Sequence, residues 1–124
     1  MKKLSFPKNK RLISDKQIKS VLSGKARISN GILTVYADKN DCGYPRLGIS
    51  VGRKCGGAVV RNRIKRLIRE VFRQYQYQIP AGYDYFLIIS PGWDKKMSGR
   101  LTLEYIKESF LGLVNTLVDK KLIM

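Results

Sequence analysis

The sequence predicts an α+β fold, a two-layer sandwich with helices packed on one sheet. Three observations carry that prediction. Leu47, Ile49 and Val51 alternate with Gly48, Ser50 and Gly52, the period of a strand. From about Ala58 to Tyr75 the apolar residues recur at helical spacing instead. The elements follow one another as helix, two or three strands, helix, strand, helix. The 124 residues suit one domain spanning 1–124, and a hydrophobic content of 44% is enough for a core.

The first helix is announced at Ser14, which has capping-box spacing to Gln17, while Ile13 and Ile18 have the spacing of a hydrophobic staple. Val21 and Leu22 continue its apolar face, and Gly24 supplies a stop. Residues Arg27 to Ala37 read as extended, with a break near Asn30-Gly31. Leu33, Val35 and Ala37 point one way; Ile32, Thr34 and Tyr36 point the other. The polar stretch Asp38 to Tyr44 reads as a hairpin connection to the strand around Leu47–Val51. On that strand Gly48, Ser50 and Gly52 leave one face shallow, so a helix or a ligand can approach the backbone closely.

In the long helix, Val60, Ile64, Leu67, Ile68, Val71, Phe72 and Tyr75 form the buried stripe. After Pro80 and Gly82, Tyr83 to Ser90 reads as a strand buried on both faces, because Phe86, Leu87, Ile88 and Ile89 do not alternate. Pro91-Gly92 ends it. Trp93, in the loop that follows, fits either a surface stacking residue or a cap on the core. A last helix spans about Leu103 to Val118, with Leu103, Ile106, Phe110, Leu113, Val114 and Leu117 facing inward.

Charge is the dominant functional signal. Lys and Arg total 25 against 9 acidic residues, a formal net charge of +16. A domain this basic repels itself unless a polyanion neutralises it, and nucleic acid is the common one. A membrane partner is disfavoured, since no apolar run approaches spanning length and the basic start leads into no apolar stretch. Cys42 and Cys55 form no CxxC pair and read as free thiols of a reducing cytoplasm, so a cytoplasmic protein is expected. Histidine is absent, which removes imidazole chemistry.

Nuclease chemistry is not visible either. Asp84, Asp94, Glu104 and Glu108 are scattered, whereas a two-metal site needs converging carboxylates. Asp38 to Gly43 briefly resembles a calcium loop, but Cys42 and Ile49 stand where oxygen ligands belong. No catalytic residue and no protein-held metal are expected.

The positive charge concentrates on one helix. Arg61, Lys65, Arg69 and Arg73 recur every four residues, with Glu70 as the only local relief. Like charges at that spacing cost an isolated helix about 0.2–0.5 kcal/mol per pair, so an external anion suits them. A solvated surface face is the plainer alternative. Asn62, set between two arginines, fits a helix cap or a contact to a nucleotide equally well. Gly56-Gly57, just before the helix, fits a phosphate cradle or a simple turn.

The run Gly48-Ile49-Ser50-Val51, then Arg53-Lys54, a glycine pair, and Ala58-Val59-Val60-Arg61-Asn62-Arg63-Ile64-Lys65-Arg66-Leu67-Ile68-Arg69-Glu70 resembles the signature of the bacterial ribonuclease P protein family. The resemblance covers most of the chain. It implies a four-stranded mixed sheet with three helices and a left-handed βαβ crossover, like the second domain of ribosomal protein S5. It also implies that catalysis belongs to an RNA subunit, which binds the magnesium, in a complex of one protein with one RNA. The protein then binds ribonuclease P RNA and the 5′ leader of precursor tRNA, helping to remove that leader. The implied RNA-binding residues are Arg53, Lys54, Arg61, Asn62, Arg63, Lys65, Arg66 and Arg69, and the implied leader cleft comprises Ile18, Leu22, Tyr36 and Ser50.

The sequence departs from the family pattern at four positions. Ile18 and Leu22 stand where family members typically carry phenylalanines; both also fit the core side of an amphipathic helix. Cys55 occupies a usually aliphatic position and Gly57 a usual asparagine. A structural RNA-binding protein, such as a ribosomal component, is the competing reading. It shares the basic helix and parts company only over precursor tRNA cleavage.

Overall fold

Strand Tyr83–Ile89 is the member on which the sheet is assembled, and its apolar run from Tyr85 to Ile89 reflects burial on both faces. The computed structural model describes residues 15–24, 26–96 and 101–123. Its strands are β1 (Ala26–Ser29), β2 (Leu33–Lys39), β3 (Arg46–Val51) and β4 (Tyr83–Ile89), in spatial order β1-β2-β4-β3. β2 runs antiparallel to both β1 and β4, whereas β3 is parallel to β4, which makes a mixed four-stranded sheet. The helices are α1 (Asp15–Leu22), α2 (Ala58–Tyr75), a short α3 (Trp93–Lys96) and α4 (Leu103–Asp119).

The break at Asn30-Gly31 is a tight hairpin between β1 and β2. Asn30 Oδ1 accepts the backbone N–H groups of Ile32 and Leu33 at 3.0 and 2.9 Å, and Gly31 has φ 90°. The expected hairpin from β2 to β3 does not form, because β4 lies between the two strands. Residues Asn40 to Pro45 therefore bridge over the end of β4. Asn40 fastens this loop by accepting the Cys42 N–H at 3.0 Å and donating to the Tyr44 carbonyl at 3.2 Å.

One sheet face carries the main core. Leu33, Val35 and Ala37 of β2, Leu47 and Val51 of β3, and Tyr85, Leu87 and Ile89 of β4 are buried there. They pack with Ile64, Ile68, Val71 and Phe72 of α2 and Ile106, Phe110, Leu113, Val114 and Leu117 of α4. Tyr85 meets the Phe110 ring edge-on at 6.1 Å and donates its hydroxyl to the Pro80 carbonyl at 2.8 Å. Thr102 caps α4 by accepting the Tyr105 N–H at 3.1 Å. Trp93 proves to be a core cap: it is 3% exposed, and its indole N–H donates to the Cys55 carbonyl at 3.0 Å.

The other face is covered by α1, whose Val21 packs on Phe86 with Ile18, Tyr36 and Ile88 around them. The helix closes at Gly24, whose N–H reaches the Val21 carbonyl at 3.2 Å. Ile13 and Ser14, which carry the expected staple and capping box, lie outside the described residues.

Between β3 and α2 the chain makes a single 3-10 turn, Arg53–Cys55, then Gly56 and Gly57. Gly56 has φ 145°, and a Cβ there would stand 3.0 Å from Val60 Cγ1, so glycine is required. Gly57 is different. Its φ of −72° and ψ of 177° suit any residue, and a Cβ would meet nothing within 4 Å. It occupies the N-cap of α2 without offering a side-chain acceptor. Gly57→Asn is expected to stabilise the fold by about 0.5–1 kcal/mol, through a cap and a less flexible unfolded chain. Urea unfolding checks this; an unchanged or lowered midpoint would contradict it.

Candidate nucleic-acid interface

The apolar stripe of α2 fixes which of its basic residues face outward. Ile64, Ile68, Val71 and Phe72 are fully buried, so the side turned away from the core holds Asn62, Arg66 and Arg69, flanked by Arg63. All four of these are exposed, as are Arg53 and Lys54 in the preceding turn. The expected row of Arg61, Lys65, Arg69 and Arg73 is not a single outward face. Each four-residue step advances about 40° around a helix. Arg61 and Lys65 consequently lie at the edge of the buried stripe and are half-buried. Arg61 Nε donates to the Gly56 carbonyl at 3.2 Å, bracing the turn.

At the far end of the row, Arg73 is taken by Glu70. Arg73 Nε donates to both carboxylate oxygens at 3.1 Å, Arg73 Nη2 pairs with Oε1, and Gln74 Nε2 adds a bond of 2.9 Å. These donors, Arg73 first, hold the Glu70 carboxyl down to about 2. The net positive face is thus centred on the first half of the helix. There Val59, Asn62, Arg63 and Arg66 line a shallow depression of about 370 Å³. Asn62 cannot be a helix cap, because α2 already begins at Ala58; its amide is exposed in the second turn.

Arg63 has a structural tie as well. Its Nη2 donates to the carbonyl of buried Leu101 at 3.1 Å, joining α2 to the segment that leads into α4. Val59 was not legible as a site residue. It is 84% exposed, an apolar patch inside a basic surface, and only its position off the buried stripe could have flagged it.

The cleft residues gather on the α1 side of the sheet. Strand register sets two neighbouring rungs across that face, Arg27–Tyr36–Phe86–Gly48 and Ser29–Thr34–Ile88–Ser50. Ile18 and Tyr36 sit half-buried around Val21 and Phe86, so the structure brings these two together. Leu22 is 39% exposed, which rules out the core reading for it. Ser50 lies on the adjacent rung, half-buried on β3. β3 then runs through Gly52 into the Arg53–Cys55 turn, so the cleft face leads directly to the start of α2.

Near this face are acidic groups of the kind a metal would need, but both Asp84 oxygens and one of Asp38 are already engaged. Arg46 grips Asp84 through Nε and Nη2, each at 2.7 Å, and Asn40 Nδ2 donates to Asp84 Oδ1 at 2.7 Å. Asp38 accepts the Ser20 hydroxyl at 2.8 Å. Lys16 and Lys39 line the same recess as these carboxylates, so this set does not suit magnesium. The Arg46–Asp84 pair escaped the sequence reading; its one signal was a carboxylate inside an otherwise apolar strand.

The fold and the basic surface define a small α+β protein with the architecture seen in solved ribonuclease P proteins. The chain superposes on the RNase P protein from Thermotoga maritima with a TM-score of 0.71 at 33% identity, covering 81% of this chain and 89% of that one. Against the Staphylococcus aureus RNase P protein the TM-score is 0.73 at 28% identity, covering 86% and 94%. In sequence it is 37% identical over 120 residues to the ribonuclease P protein component of Nitrosococcus oceani, spanning 96% of this chain and 99% of the relative. The ribonuclease P family model matches residues 6–113. The chain belongs to the ribonuclease P protein family, and as such is a subunit of that ribonucleoprotein endoribonuclease. Among the described residues no helix is long and apolar enough to cross a membrane.

Proposed function

We propose that this chain binds the catalytic RNA of ribonuclease P and the 5′ leader of precursor tRNA, and so assists removal of the leader in the cytoplasm. The observation that carries this reading is the exposed, nearly unopposed cluster of Arg53, Lys54, Asn62, Arg63, Arg66 and Arg69 at the start of α2, adjoining the α1 cleft. Guanidinium groups take phosphate oxygens by paired charge-assisted hydrogen bonds, and Asn62 supplies a donor and an acceptor beside them. The cleft face adds the Tyr36 ring and the hydroxyls of Thr34 and Ser50, a surface suited to unpaired nucleotides.

A division of labour is part of the same proposal. Magnesium, held by the RNA subunit, supplies the activation of water and the stabilisation of the phosphodiester. This chain contributes cation density that lets two RNAs approach, and a cleft that fixes the leader's path. Ile18 gives apolar contact in place of ring stacking, so Tyr36 carries more of the aromatic contact to the leader. One protein per catalytic RNA, on a domain spanning 1–124, completes the proposal.

The test is the affinity of the reconstituted complex for precursor and mature tRNA. The leader-bearing form is expected to bind about tenfold more tightly when the protein is present, the order of one stacking contact. Equal preference with and without the protein would contradict leader binding.

A further inference from the structure

The leader cleft has an arginine at its β1 edge. Arg27 is an exposed residue on β1, directly opposite Tyr36 in the strand register. Its Nε donates to the Tyr36 hydroxyl at 3.1 Å, and its guanidinium carbon lies 5.7 Å from the ring centroid. Together the two distances place the guanidinium towards the hydroxyl end of the ring. Two consequences follow. The tyrosine hydroxyl is held, which limits rotation of the side chain, and the arginine is itself immobilised by a partner that carries no negative charge. Its four other N–H groups have no protein acceptor among the described residues.

The rung on one side of Tyr36 places Asp38 and Asp84 on the same face, with Ser20 bonded to Asp38 and with Arg46 and Asn40 bonded to Asp84. The rung on the other side holds Ser29 and Thr34, whose hydroxyls bond at 3.0 Å. A fixed guanidinium with free donors, beside an aromatic ring and a pair of hydroxyls, is suited to a phosphodiester whose nucleoside lies on the ring.

We infer that Arg27 is a positioning residue of the leader cleft: it orients Tyr36 and clamps a leader phosphate at the β1 edge. This inference rests on the proposed leader binding and extends it to a residue outside the basic helix. It also gives a physical role to a charge that the α2 face does not include. The leader's path then runs from β1 across Tyr36 and Phe86 towards Ser50 and the start of α2.

Affinity of the reconstituted complex for precursor tRNA is the readout, with leaders of increasing length and with mature tRNA as reference. Arg27→Ala is expected to weaken binding of long-leader substrate about tenfold, the order of one charge-assisted hydrogen-bonded contact, while mature tRNA binds as before. The salt slope should fall by about 0.7, the value for one phosphate contact on a single strand. Arg27→Lys keeps the charge without the fork and should recover only part of the loss. Tyr36→Phe, which removes only the hydroxyl, should likewise lose part of the leader preference. A merely structural Arg27 would affect all substrates equally, and that result would overturn the inference. So would a leader preference lost in Tyr36→Ala but intact in Arg27→Ala, although leader binding in the cleft would then stand. If neither variant alters the preference, both the clamp and the proposed cleft fail together.

Discussion

Asp84→Ala is expected to destabilise the fold by about 3–5 kcal/mol, the usual cost of removing one member of a buried ion pair. The reasoning starts from burial. The side chains of Arg46 and Asp84 are 16% and 7% exposed, and the carboxylate accepts two bonds from Arg46 and one from Asn40. Alanine leaves a guanidinium in a poorly solvated place without its counter-charge and strips the Asn40 amide of an acceptor. The same contacts hold β3, β4 and the Asn40 to Pro45 loop in register, because Arg46 and Asp84 are themselves partners across the parallel pair. Urea denaturation followed by circular dichroism measures the loss. Replacing both partners with apolar residues should cost much less, since no buried charge is then orphaned. A loss below about 1 kcal/mol for the single variant would show the pair to behave as a surface bridge.

Arg66→Ala combined with Arg69→Ala is expected to weaken binding to ribonuclease P RNA by one to two orders of magnitude, roughly the worth of two exposed charge-assisted contacts. Both side chains are exposed, and neither has a hydrogen bond or ion pair among the described residues, so the fold should not suffer. Removing like charges one turn apart should leave stability unchanged or slightly higher. The dependence of log affinity on log salt should become shallower by about 1.4–1.8 for two lost phosphate contacts. Arg63 is a poorer choice for this test because its bond to the Leu101 carbonyl mixes structure with binding. Full affinity in the double variant would move the interface off this face of α2.

Local features are legible in the sequence where they depend on short-range physics. The apolar spacing from Val60 to Tyr75 located α2, because a helix facing a core declares itself within its own residues. The unalternated run in β4 declared a doubly buried strand for the same reason. What failed was non-local. The polar loop after β2 signals a change of direction, but nothing in it reveals that a strand more than forty residues later inserts between β2 and β3. Asp84 belongs to the same class, since its partner Arg46 is brought to it only by that insertion.

The site was legible in outline. The basic helix was found from charge and spacing, yet the four-residue row overstated one face, since its first members slide toward the core and its last is engaged by Glu70. Trp93 could not be decided from sequence because a lone aromatic after a Pro-Gly turn has no periodicity to orient it. Arg27 was invisible for a related reason. Its significance lies in a cross-strand neighbour, and register is set by the hairpin rather than by the residue.

The most direct test of the whole account is cleavage of a precursor tRNA by ribonuclease P RNA at limiting magnesium, with and without this protein. The expected result is that the protein alone is inert, while adding it to the RNA restores cleavage at the mature 5′ end. Binding to the RNA with no change in the rate or position of cleavage would contradict the account and leave a structural RNA-binding protein in its place.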